Sequence, residues 1–235
     1  MHTVLIPPLL CSGSFYRDLV ATVWTFGAVT IADTRRDATL AGMARRLLDS
    51  SPEHFTLVGT SMGGYVALEV IRQAPERVQG LVLISTSARP DSSDQVAARR
   101  SQSTLVERGQ FDSLVDAVFP ALVAAGHEND TALLAQWRET AHQVGPDAFL
   151  TQQVATMNRL DSRPLLTDVA CPALVIHGTG DRLIAPSDGR ELAELIPNAQ
   201  LELIPDAGHF VLKEQPEVTA QKVSDFLLSL RPTAA

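Results

Sequence analysis

Ser61, within Gly59-Thr60-Ser61-Met62-Gly63-Gly64, is where chemistry is first expected in this chain. An apolar run, 55–58, precedes the motif, and a helical pattern opens at 63. A serine hydroxyl is a poor nucleophile until a base takes its proton. In a sharp strand-to-helix turn the serine is held in a strained backbone geometry. Its hydroxyl is lifted above the carboxyl edge of a sheet, where open α/β sheets bind ligands. Glycine two residues to either side leaves room for neighbouring chain. The same turn aims the Met62 N–H, near a helix N-terminus, at any oxyanion formed there.

The base should be a histidine held by a carboxylate, and for this motif the chain order is serine, acid, histidine. That order prunes the 6 histidines. His2 and His54 precede Ser61. His127 and His142 fall in the helical stretch 88–163 and read as surface or packing residues, and His177 ends the run 173–177 and reads as a core or strand-end residue. His209, in Pro205-Asp206-Ala207-Gly208-His209, follows the run 201–204 and so lies at the same sheet edge as Ser61. Asp181, in Gly178-Thr179-Gly180-Asp181 after the run 173–177, is the expected acid. Asp206 is its rival, but its closeness to His209 suits a turn former. Asp188, at a helix start, suits a capping role.

Six apolar runs must position these groups: 4–6, 28–31, 55–58, 81–84, 173–176 and 201–204. Most are continuous rather than alternating, as strands buried on both faces of a parallel sheet are. Between them lie helical patterns. Residues 40–48 carry Leu40, Met43, Ala44, Leu47 and Leu48 at helical spacing, and 63–73 end at Ala74-Pro75, where proline stops a helix. Residues 186–196 and 216–230 each have a proline near the start. This alternation predicts βαβ units and an open sheet.

The alternation fails between Ala88 and Arg163. Only helical patterns occur there, at 92–107, 111–124, 129–143 and 146–158, separated by Gly109, Gly126 and Gly145-Pro146. Such a stretch is too long for a crossover, so 88–163 is expected to be an inserted helical cap on a core of 1–87 and 164–235. Its large apolar side chains should wall an apolar pocket over the site, with Trp137, Phe149 and Met157 facing a small apolar ester substrate.

Composition narrows the class. Of 235 residues, 45% are hydrophobic and 20% charged, an ordinary globular balance. The 19 Lys and Arg are scattered and the net charge is −8, so a nucleic-acid partner is not expected and an anionic membrane would repel the chain. The same negative charge should disfavour anionic substrates. The 2 cysteines, Cys11 and Cys171, have no metal-ligand spacing and suit reduced thiols in a cytoplasmic protein. No run approaches the length of a membrane span, and Met1 to Gly13 lacks the pattern of a signal peptide. There is neither a phosphate-binding Gly-x-x-x-x-Gly-Lys loop nor a His-Glu-x-x-His metal helix, and no cofactor or metal is expected. Monomer and homodimer are both compatible with the sequence.

Together, the Ser61 motif, the Gly178 to Asp181 turn and Gly208-His209 resemble the α/β-hydrolase fold superfamily. Ser61-Met62-Gly63-Gly64-Tyr65-Val66-Ala67-Leu68-Glu69 and Gln73-Ala74-Pro75-Glu76-Arg77-Val78 are similar to small, capped bacterial carboxylesterase-like members, near the pimeloyl-carrier-protein methyl esterases. The resemblance implies a mostly parallel, six-stranded sheet, since the chain starts almost at the family's first central strand. It implies a Ser61, His209 and Asp181 triad that cleaves carboxylic esters. Relatives of this kind also include lactonases, thioesterases, cofactor-free perhydrolases and carbon–carbon lyases or hydrolases. A ligand-binding sensor with a slow triad is a reading from another class. One departure stands out. Where the family commonly has His-Gly, this chain has Pro7-Pro8-Leu9-Leu10. By that alignment Leu9 supplies the second oxyanion N–H beside Met62, and Pro8 either rigidifies the loop or misplaces the donor.

Overall fold

The computed structural model describes residues 1–231. Six parallel strands, β1 (His2–Ile6), β2 (Ala28–Ile31), β3 (Phe55–Thr60), β4 (Val78–Ile84), β5 (Ala173–Gly178) and β6 (Ala199–Ile204), form one sheet in the order β2-β1-β3-β4-β5-β6. The expected six strands are all present, and every pairing is parallel. Central strands are buried at every position of β3 and β5, whereas edge strand β2 has none buried. That difference explains the continuous apolar runs: a central strand feeds two layers at once. Leu5, Val58, Val82, Ile84, Leu174 and Ile176 pack on one face of the sheet. Val4, Ile6, Leu57, Leu81, Leu83 and Val175 pack on the other. Each such side chain stabilises by roughly 1.5–3 kcal/mol when fully buried.

The first face is covered by α1 (Arg17–Trp24) and the later α11 (Pro216–Ser229). The second is covered by α2 (Leu40–Ser50) and α3 (Met62–Gln73), with α9 (Pro186–Leu195) on the same side. Helix α2 buries Leu40, Met43, Ala44 and Leu47, and its N-cap Thr39 accepts a hydrogen bond from the Gly42 N–H. Between β4 and β5 lie α4 (Ser93–Glu107), α5 (Phe111–Leu122), α6 (Thr131–Val144), α7 (Pro146–Met157) and the short α8 (Arg163–Leu166). No strand interrupts this segment. The single turn α10 (Val211–Glu214) leads into α11.

Among the described residues no helix is long and apolar enough to cross a membrane. Both cysteines are free thiols. Burial pushes the Cys171 thiol up to about 11 and raises Cys11 further.

Candidate active site

Ser61 joins β3 to α3 with φ at +52° and ψ at −117°, a conformation that a side-chain-bearing residue adopts only under strain. Two hydrogen bonds clamp it there. The Ser61 N–H donates to the Ile84 carbonyl at 2.9 Å, and the Thr86 hydroxyl donates to the Ser61 carbonyl at 2.8 Å. The flanking glycines are required by close approach. A Cβ on Gly59 would lie 2.4 Å from the Gly63 carbonyl oxygen, and one on Gly63 would lie 1.9 Å from that of Ile6.

The loops after β5 and β6 bring the other two residues to this turn. His209 Nε2 is 2.9 Å from Ser61 Oγ, and His209 Nδ1 is 2.9 Å from Asp181 Oδ2. All three are buried, Ser61 being 8% exposed. Asp181 is held on both oxygens. Its Oδ1 accepts the Leu183 and Ile184 N–H groups at 2.9 and 3.0 Å, while Oδ2 faces His209 and His177, the latter at 3.1 Å. Burial alone would push this carboxyl up. The electrostatic pull of the neighbouring His209 ring and the hydrogen bonds from His177, His209 and Ile184 outweigh it and hold Asp181 well below the usual carboxylate range. An aspartate so held is charged and fixed in direction. Asp206 lies away from this arrangement, in a turn with φ at +52°.

Some groups that shape the site were not legible in the sequence. His177, read above as a core or strand-end residue, turns Nε2 toward two acceptors, Asp181 Oδ2 and the Ile184 carbonyl at 3.0 Å. Those acceptors assign its proton to Nε2 and leave Nδ1 buried without a partner. Glu214, its side chain fully buried, accepts the Gly208 N–H and the Ala124 N–H at 2.7 Å each, and His127 Nδ1 at 2.9 Å. It thereby ties the loop that carries His209 to the helical segment. His142 pairs instead with the exposed Asp112.

The loop after β1 closes as a turn, with the Cys11 N–H donating to the Pro8 carbonyl at 3.2 Å. Leu10 takes φ of +59° in it, the left-handed third position that a type II turn demands. Gln152, a fully buried α7 residue, pins this turn. Its Oε1 accepts the Leu10 N–H at 2.9 Å while its amide donates to Thr34 Oγ1 at 3.2 Å. The N–H groups of Leu9 and Met62 have no hydrogen-bond partner among the described residues. Both residues line the same cavity as Ser61 and His209.

That cavity has a volume of about 410 Å³, within the range of small-molecule pockets. Trp137 and Phe149 line it, joined by Leu114, Val118, Leu122 and Phe210. Trp137 is oriented by its indole N–H, which donates to the Val115 carbonyl at 2.7 Å. Met157 does not line it, and Thr156 does. One residue along a helix turns a side chain by about 100°, so a one-position error points the group elsewhere. Four of the five helices between β4 and β5 contribute lining residues.

The family model for the α/β hydrolase fold matches residues 21–216. The chain belongs to the α/β hydrolase fold family. It is 28% identical to a protein named as a non-heme bromoperoxidase from Mycobacterium tuberculosis, covering 98% of this chain and 89% of that one. It is 30% identical to a pimeloyl-[acyl-carrier protein] methyl ester esterase from Yersinia enterocolitica, covering 86% of this chain and 76% of that one. Among solved structures, a thermophilic esterase from Thermogutta terrifontis superposes with a TM-score of 0.89 at 26% identity, over 99% of this chain and 91% of that one. An α/β hydrolase with esterase-named relatives is, at the coarse level, a hydrolase.

Proposed function

We propose that this α/β hydrolase is a serine esterase that cleaves carboxylic esters through an acyl-enzyme. Ser61 Oγ attacks the acyl carbonyl as His209 Nε2 takes its proton. Asp181 keeps the proton-bearing Nδ1 of His209 directed at itself and stabilises the imidazolium that forms. The unspent Met62 and Leu9 N–H groups receive the oxyanion, each such donor contributing about 3–4 kcal/mol. His209 then returns the proton to the departing alcohol. A water deprotonated by His209 attacks the acyl-enzyme and frees the acid. Residues 88–163 act as a cap whose helices wall the pocket.

The observation that carries this reading is the continuous relay from Ser61 Oγ through His209 to Asp181, with both links at 2.9 Å. It is supported by two amides at the same cavity with no other partner. The test is turnover of p-nitrophenyl esters by the wild type and by variants, alongside fluorophosphonate labelling of Ser61. Ser61→Ala and His209→Ala should each lose roughly 10³-fold or more in kcat. Asp181→Asn should fall as much or less. If Asp206→Asn abolishes turnover while Asp181→Asn does not, the acid assignment is wrong. Labelling with one burst and no turnover would replace the esterase reading with that of a slow sensor.

A further inference from the structure

The cavity is apolar along α5 and α6 but not along α4. Gln95, Arg99 and Gln102, at i, i+4 and i+7, present one face of α4 to it. Apart from the catalytic His209, Arg99 is the one ionisable basic side chain lining this cavity, and no aspartate or glutamate lines it, among the described residues.

The hydrogen bonds of these residues have a fixed direction. A guanidinium can only donate, so Arg99 Nη1, 2.9 Å from Gln153 Oε1, sets the orientation of that amide. The Gln153 nitrogen must then donate to Gln102 Oε1, at 2.8 Å. On the other side, Gln95 Oε1 is taken by the Ser92 backbone N–H at 2.8 Å. Each acceptor on this face is therefore used inside the protein. What remains is N–H: the amide nitrogens of Gln95 and Gln102, and Arg99 Nη2, none of which has a partner among the described residues.

The charge on this face is also uncompensated. Asp91, whose carboxylate is fully buried, binds Arg99 Nε at 2.7 Å and also binds Arg159 Nη1. Two guanidinium groups on one carboxylate leave one net positive charge. Arg159 is buried away from the cavity, 5% exposed, where it donates to the Arg89 carbonyl at 2.8 Å and stacks over the Tyr65 ring at 4.3 Å. Arg99 is 22% exposed and keeps a nitrogen to spare.

We propose that this face is a carboxylate subsite: the ester that Ser61 cleaves carries a second, ionised carboxyl group, bound by Arg99 with Gln95 and Gln102. The proposal rests on the serine-esterase reading for the reaction, though not for the binding. It reverses the charge preference expected from the net charge of −8. The field of the whole surface is screened over about 8–10 Å of salt water, whereas a guanidinium in the cavity acts at contact.

The experiment compares monomethyl esters of straight-chain dicarboxylic acids with methyl esters of the monocarboxylic acids of matching length. In the wild type, kcat/KM should favour the acid-bearing ester by about tenfold or more at the best length. Arg99→Met should reduce that ratio at least tenfold. Gln95→Glu keeps the acceptor that caps α4 and adds a negative charge at the cavity, so it should reduce the ratio even if Arg99→Met fails to fold. In parallel, pentanedioate is titrated into the Ser61→Ala protein by calorimetry. Binding that weakens at least tenfold in the Ser61→Ala background with Arg99→Met or Gln95→Glu supports the subsite even if no ester is turned over. No preference for the charged ester, together with no pentanedioate binding that depends on these residues, overturns it. A matched ester bearing a phosphate monoester, turned over better than the carboxylate, also overturns it.

Discussion

At Asp181, burial opposes ionisation and four hydrogen-bond donors favour it, with the donors prevailing. A carboxyl held below its unfolded value of about 4 stabilises the fold fully above that pH. The stabilisation is lost as pH falls through the lower folded value. The Tm of the wild type should therefore drop on acidification below about pH 4. Asp181→Asn should melt lower at neutral pH and show a shallower acid limb in a calorimetric series. The residues of the relay were legible because chain order and strand ends constrain them along one dimension. Ser61, Asp181 and His209 each follow an apolar run, and the motif dictates their order. His177, Glu214 and Gln152 were not legible in these roles. Their partners lie 4, 90 and 142 positions away, and nothing in local composition marks a buried side chain as a strut.

Among the elements, every strand and every long helix outside α1 was readable from period and punctuation, with ends shifted by a few residues. Helix α1 was not. It has 8 residues, no side-chain N-cap bond and three β-branched residues, Val20, Thr22 and Val23. Its stability comes from burying Leu19 and Val23 against the core rather than from propensity. Loops were less readable than helices. The Pro7-Pro8 turn keeps the Leu9 N–H without a partner because α7 reaches across to hold it, a long-range contact made by Gln152. Gln152→Met preserves volume and removes both bonds, leaving the Leu10 and Thr34 groups to find other partners. If the Leu9 N–H is the oxyanion donor we propose, this should lower kcat on a p-nitrophenyl ester by about tenfold while changing KM less, because the pocket wall is left intact. An equal loss in both kinetic constants would place Gln152 in substrate binding instead.

A buried carboxylate, beside the Phe210 N–H to Leu122 carbonyl bond, couples the helical segment to the loop that carries His209. Glu214→Gln loses charge at three hydrogen bonds, to Ala124, His127 and Gly208. A loss of about 1–3 kcal/mol lowers Tm by roughly 2–12 °C in a chain of this size, which a thermal scan would detect. The conformation of Ser61 has a consequence at the same scale. Its φ of +52° costs about 1–3 kcal/mol for any residue with a Cβ, whereas glycine adopts it freely. Ser61→Gly should therefore melt above Ser61→Ala, and on the proposed mechanism neither should turn over ester. Selection for stability alone would drift this position toward glycine, so a lineage released from any need for the Ser61 hydroxyl would grow sturdier by shedding it.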